Sequence, residues 1–131
     1  MEAKQRNTFK KAEKLKSRKT IEQLFKDGKS FSIFPFRVLF SFNAAAVNPL
    51  QTGFAVSTKH FKKAVDRNRI KRLMREAYRL QKNDLQNQVK HQQKKLAVFF
   101  IYVGNELPEY QFIFDKTGNI LNRLTNIISE S

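Results

Sequence analysis

The chain has 131 residues and no cysteine; that length suits one domain able to bury roughly two thirds of its extended surface unaided, and the composition excludes disulfide frameworks, thiolate zinc sites and a cysteine nucleophile. A formal net charge of +15 at pH 7 points to an anionic partner, and basic residues crowd into Lys4–Lys19 and Lys59–Arg79, whereas from Leu96 onward only Lys116 and Arg123 remain. Neither basic block carries the apolar face of a membrane-surface helix, the apolar run Leu96–Val103 is far short of the ~20 residues of a membrane span, and the first residues lack a secretory segment. The expectation is a soluble cytoplasmic protein that binds nucleic acid.

Residues 1–16 are polar, basic and weakly periodic and read as a flexible arm able to order on a polynucleotide, leaving 17–131 as the folded domain. A short helix is predicted over 19–26, with Ser17 or Thr20 as its cap, Ile21, Leu24 and Phe25 on one face, and Gly28 to end it. Phe34, Phe36, Val38, Phe40 and Phe42 alternate with Pro35, Arg37, Leu39 and Ser41, which predicts one strand over 31–42 whose start at Pro35 lies at an edge or bulge. Asn43–Pro49 is a loop, and 51–57 a second strand with Phe54 and Val56 facing opposite ways from Gly53 and Ala55.

A basic helix runs on to about Lys82, and the glutamine-rich stretch 83–95 is either frayed helix or loop. Leu96–Val103, apolar on both faces, predicts a strand covered on each side, and Gly104–Pro108 a turn. Tyr110–Ile128 closes the chain as an amphipathic helix with Ile113, Ile120, Leu121, Leu124, Ile127 and Ile128 at helical spacing. The sum is an α+β single-domain sandwich in the order helix, two or three strands, helix, strand, helix.

The central helix carries the functional signal. At about 100° per residue, Ile70, Leu73, Met74, Ala77 and Leu80 fall within an arc of roughly 120°, while Arg67, Lys71, Arg72, Arg75 and Arg79 gather opposite with Asn68 near their middle. An ordinary solvated helix mixes signs to gain i to i+4 pairs. This one has only Asp66 and Glu76 as acids, the first near the helix start where the macrodipole favours it. The uncompensated face implies a polyanion, and arginine suits it because its planar fork grips phosphate bidentately.

Phosphodiester hydrolysis by protein groups needs clustered carboxylates holding metal ions, or a well-placed histidine acid and base. Asp66 and Glu76 are displaced from the centre of the basic arc, and His60 and His91 are far apart with no metal-ligand spacing. No glycine-rich phosphate loop or nucleophile motif is present. The chain reads as a binder that assists chemistry done elsewhere, and most of its 13 phenylalanines read as core.

The segment AVDRNRIKRLMREAY closely resembles the arginine-asparagine-arginine signature of the bacterial ribonuclease P protein subunit. GFAVSTKHFKKAV resembles that family's upstream strand and lysine turn, IEQLFKDGKSF its short first helix with a trailing glycine, and the likeness covers roughly residues 14–128. The resemblance implies a small protein cofactor of a catalytic RNA, the two together cutting the 5′ leader from precursor tRNA, with the active site and its Mg2+ held by the RNA. It implies the fold shared with one domain of a small-subunit ribosomal protein, including a left-handed βαβ crossover where the general rule gives the right-handed form.

By the same resemblance, Arg67, Asn68, Arg69, Lys71, Arg72 and Arg75 contact RNA, with Lys59, Lys62 and Lys63 of the preceding turn beside them. Phe25, Ile21 and Phe36 line a cleft for the single-stranded leader. The implied partners are the catalytic RNA and precursor tRNA, with neither DNA nor a membrane expected. Two departures stand out: Ile21 sits where members often carry a second aromatic, and Lys62 lies near a position often held by glycine. The alternatives are a general or ribosomal RNA-binding protein with no part in cleavage, and an autonomous nuclease using Asp66 or Glu76.

Overall fold

A computed structural model of the chain describes residues 9, 11–42 and 48–130. Ser17 accepts a hydrogen bond from the Thr20 N–H at 3.3 Å and so caps α1 (Arg18–Asp27), as its hydroxyl allows. Gly28 ends that helix: its N–H donates to the Leu24 carbonyl at 2.9 Å, and a Cβ there would lie 2.4 Å from the same oxygen. Only glycine lets the chain pass so close.

Residues 29–42 form a hairpin rather than the single strand expected over 31–42. Strand β1 (Lys29–Ile33) pairs antiparallel with β2 (Phe36–Phe42), and the chain turns at Phe34–Pro35, whose peptide bond is cis. Proline cannot donate to a ladder, and Phe34, 68% exposed, stands at the tip. Strand β3 (Leu50–Val56) follows; residues 43–47 of the expected loop lie outside the described residues. Helices α2 (Ala64–Gln81) and α3 (Asn83–His91) then lead to β4 (Leu96–Tyr102), which runs parallel to β3 and antiparallel to β2. The sheet order is β1-β2-β4-β3, and α4 (Tyr110–Ser129) packs on α2 and α3.

The sheet separates two apolar layers of unequal size. On one face Phe36, Val38 and Phe40 of β2 and Val98, Phe100 and Tyr102 of β4 pack against Ile70, Met74, Ala77 and Tyr78 of α2 and against Ile113, Ile120 and Leu124 of α4. On the other, Leu24 of α1 and Leu15 cover Leu39, Ala97 and Phe99. Strand β4 is therefore buried on both faces, as its unbroken apolar run required. In α2 the expected apolar arc is narrower than predicted: Leu80 is 40% exposed.

Two expectations about polar segments need correction. The stretch 83–95 is ordered helix as far as His91, because Leu85 and Val89, four residues apart, are wholly buried in the main core. The flexible arm expected over 1–16 is part of the fold from Phe9 and Lys11 on, residues 1–8 and 10 lying outside the described residues. Lys11–Glu13 make one 3₁₀ turn, the Leu15 N–H donates to the Thr52 carbonyl at 3.0 Å, and Lys14 bridges to β3 as a short parallel pair. The Phe9 ring meets Phe54 and Tyr78 edge-on, centroids 5.9 and 5.5 Å apart.

This N-terminal strap is also held by charge. The Glu13 carboxylate pairs with the ammonium group of Lys82 at the α2–α3 junction, where Lys82 is 1% exposed. Such a group must be paired to be tolerated in the interior. We expect Glu13→Gln to lower stability by about 3 kcal/mol, near the lower end for a broken buried pair, measured by urea unfolding; a loss under about 0.5 kcal/mol, the usual range for a plain surface substitution, would contradict a buried pair.

Burial pushes the Tyr78 hydroxyl well above the ordinary tyrosine range, with the hydrogen bond from Thr52 Oγ1 at 2.8 Å acting the other way. The native state thus keeps a proton that the unfolded chain loses above about pH 10. This stability is fully present below that pH and is lost progressively above it, toward the raised native value. Thermal melts between pH 9 and 11 should show a falling midpoint that is flatter in Tyr78→Phe; equal slopes would refute the assignment.

Candidate nucleic-acid interface

The rotation of α2 about its axis decides which of its side chains can meet a ligand. With Ile70, Met74, Ala77 and Tyr78 turned into the core, Asn68, Arg69, Arg72 and Arg75 are exposed and Lys71 is half-buried. Among the described residues no carboxylate pairs with Arg69, Lys71, Arg72 or Arg75. Lys59, Lys62 and Lys63 lie exposed on the connection that leads from β3 into the helix, which extends the same cationic surface beyond its N-terminus.

Two arginines of the predicted arc have other work. Arg67 Nη1 donates to the carbonyls of Phe61 and Lys62 at 2.8 and 2.7 Å, so this guanidinium braces the turn carrying the lysines. Arg79 pairs with Glu76 one turn earlier, its Nε donating to Oε2 at 3.2 Å. The hydrogen bond from Arg79 holds the Glu76 carboxyl below the usual carboxylate range. Periodicity places these residues on the basic side, but it does not show that a backbone carbonyl or a neighbouring acid reaches them first. The uncompensated cations run from Lys59 to Arg75.

The expected aromatic cleft is only partly assembled. Phe25, 54% exposed on α1, meets the Phe99 ring edge-on at 5.9 Å, and Ile21 packs beside it on the same layer. Phe36 does not join them. It is fully buried on the opposite face of the sheet against Phe100 and Tyr102. Strand parity is the reason: Phe36 shares its face with Val38 and Phe40, whereas Arg37 and Leu39 point to the α1 side.

The floor beside α1 is instead built from Leu39, Phe99, Ile101 and Ala55, which the strand register sets side by side. Arg37, paired with Ile101, adds an exposed cation to that face. The signal was present in the sequence, since in Phe99–Phe100 only one of two adjacent strand residues can face each layer. Gly53 keeps the layer thin, as a Cβ there would meet the Phe99 ring at 2.7 Å and the Leu15 carbonyl at 3.3 Å.

Among the described residues no group of three or more His, Cys, Asp or Glu side chains is arranged to hold a metal ion. No described helix is long and apolar enough to cross a membrane.

The family model for ribonuclease P matches residues 9–125. A ribonuclease P protein component from Porphyromonas gingivalis is 38% identical over 124 residues, covering 92% of this chain and 89% of that protein. The chain belongs to the ribonuclease P protein family. Among solved structures, the ribonuclease P protein of Thermotoga maritima is similar with a TM-score of 0.67 and 28% identity, over 85% of this chain and 96% of that one. The ribonuclease P protein of Staphylococcus aureus matches in fold with a TM-score of 0.69 at 23% identity, over 86% and 95% of the two chains. Family membership favours the ribonuclease P reading over a general or ribosomal RNA-binding protein, and the four-stranded α+β architecture is the one these ribonuclease P proteins share.

The different surroundings of the arginines predict different mutant behaviour. Arg72→Ala and Arg75→Ala should leave the melting temperature nearly unchanged while lowering the salt slope of RNA binding by about 0.7–0.9 for each phosphate left unneutralised. Arg67→Ala should cost about 1–2 kcal/mol of stability, because two carbonyls lose a charged donor. Equal melting temperatures for all three variants would show that Arg67 does not brace the turn.

Proposed function

We propose that this chain is the protein subunit of a ribonucleoprotein ribonuclease P, binding both the catalytic RNA and the 5′ leader of precursor tRNA and so assisting endonucleolytic removal of the leader. The observation that carries this reading is the row of outward cations on α2, without a carboxylate partner among the described residues, on a member of the ribonuclease P protein family. Asn68, Arg69, Lys71, Arg72 and Arg75, with Lys59, Lys62 and Lys63, meet RNA phosphates; Arg67 holds the lysine turn in place and offers its remaining donors to the same strand. Neutralising phosphates where two RNA strands crowd together lowers the repulsion that otherwise limits their approach.

The α1 layer takes the single-stranded leader. Phe25 and Ile21 offer apolar contact to a base over the floor of Phe99 and Ile101, a sequence-tolerant mode because every base has a π face. Phe36, on the wrong side of the sheet, has no part in it. The groups that break the phosphodiester bond belong to the RNA, as does the Mg2+, which would stabilise charge on the attacking and leaving oxygens. In this reading the protein's part is to bind and orient. A cytoplasmic place of work accompanies this role.

Reconstitution tests the reading directly. Adding the protein to its cognate catalytic RNA at low magnesium should strongly raise leader cleavage, with tighter binding of leader-bearing than of mature tRNA. Absence of stimulation would refute it. Equal affinity for the two tRNAs would favour a general RNA-binding protein, and cleavage by RNA-free protein that disappears in Asp66→Asn or Glu76→Gln would favour a nuclease.

A further inference from the structure

The N-terminal strap crosses the outer edge of β3 and leaves a cavity of about 280 Å3 between itself, that strand and α2. Three cations from two elements line it: Lys14 and Lys16 from the strap and Arg75 from the helix. All three are exposed, and among the described residues none is paired with a carboxylate. The one acid of the described strap, Glu13, is turned away toward Lys82. The 3₁₀ turn Lys11–Glu13 leaves Glu13 against the buried Lys82, and the residues that follow carry Lys14 and Lys16 to the cavity.

The walls of the cavity are already anchored. Phe9 packs on Phe54 and Tyr78, the Lys14 ammonium sits 5.8 Å from the centre of the Phe9 ring, and Leu15 is tied to Thr52 through its backbone. Gathering three like charges costs free energy in the absence of a counter-charge. Liquid water takes roughly 30 Å3 per molecule, so the space admits a phosphate group together with several waters.

We propose that this cavity is a phosphodiester-binding subsite, joined at Arg75 to the outward face of α2, in which Lys14, Lys16 and Arg75 close on one RNA phosphate at the sheet edge, and that the Glu13–Lys82 pair holds the strap in its binding position. The inference rests on the RNA-binding reading of the chain. It adds the strap, a segment whose sequence suggests a loose arm, as a built part of the interface. The edge of β3 lies between the cationic surface of α2 and the α1 layer, so a strand bound here bridges the two.

Lys14→Gln/Lys16→Gln removes charge and keeps side-chain length at exposed positions, so the fold should persist. Its salt slope for RNA binding should fall by about 0.7–0.9 for the one phosphate left unneutralised, and Lys14→Arg/Lys16→Arg should restore it. Weaker binding of the catalytic RNA alone would assign the phosphate to that RNA; a change confined to the preference for leader-bearing tRNA would assign it to the leader. An unchanged slope with both RNAs would overturn the proposal.

Glu13→Gln separates a built site from diffuse attraction. It raises the net charge, so non-specific electrostatics predicts tighter binding, whereas release of the strap predicts weaker binding, measured where the variant is still folded. Tighter binding would count against the positioning role. The free protein gives a reading independent of cleavage: inorganic phosphate should shift the amide NMR signals of Leu15, Thr52 and Gly53 in the wild type and not in Lys14→Gln/Lys16→Gln. Identical shifts in both would overturn the site even if leader cleavage is stimulated, and their disappearance in the variant would uphold it even if no stimulation occurs.

Discussion

Burial of Ile70, Met74, Ala77 and Tyr78 sets the rotation of α2, and nearly everything the molecule offers to a partner follows from that angle. Each large apolar side chain removed from water contributes about 1.5–3 kcal/mol, and Tyr78 adds a buried hydrogen bond to Thr52. Turning the helix by one residue, about 100°, would exchange these groups for guanidinium and ammonium groups whose burial without partners costs far more. The apolar stripe therefore decides where the charges go. It presents Arg69, Arg72 and Arg75 together on the outside, a cost in self-repulsion that a bound anion relieves.

The sheet extends this arrangement to a second surface. Because β4 is covered on both faces, the molecule has one deep layer under α2 and α4 and one shallow layer under α1. The shallow layer leaves Phe25 exposed over Phe99, an apolar surface on the face of the sheet opposite α2. The strap then covers the edge of β3, which would otherwise present unpaired N–H and C=O groups. The segment that protects this edge also carries Lys14 and Lys16 to it.

The sequence made some parts of this structure legible and hid others for identifiable reasons. Helices α1, α2 and α4 and strand β4 were readable because their apolar period is long and unbroken, and the caps at Ser17 and Gly28 bounded the first of them. The β1–β2 hairpin was hidden because Phe34, at the exposed turn, stands in phase with Phe36, Val38 and Phe40 and so masks the switch from Phe31 and Ile33, which face the same layer from β1. Helix α3 announces itself with only Leu85 and Val89 among polar residues. Phe9 and Leu15 are isolated apolar residues whose partners, Phe54, Tyr78 and Phe99, lie far along the chain, and no local period reveals such contacts. The basic face was legible residue by residue except at Arg67 and Arg79, where bonds to carbonyl oxygens and to Glu76 settle the side chains. Phe36 was misplaced because resemblance fixed its type but not the strand parity that turns it into the core.

Arg69, Arg72 and Arg75 of α2 stand exposed and without a carboxylate partner among the described residues. Thermal unfolding in sulfate and in chloride at matched ionic strength measures this most directly, since an anion that binds only the native state raises its stability as RT ln(1 + [L]/Kd). The melting temperature should rise with sulfate well beyond its value in chloride, and the rise should shrink in Arg72→Ala/Arg75→Ala. The same melting temperature in both salts would mean that the protein has already neutralised that face itself.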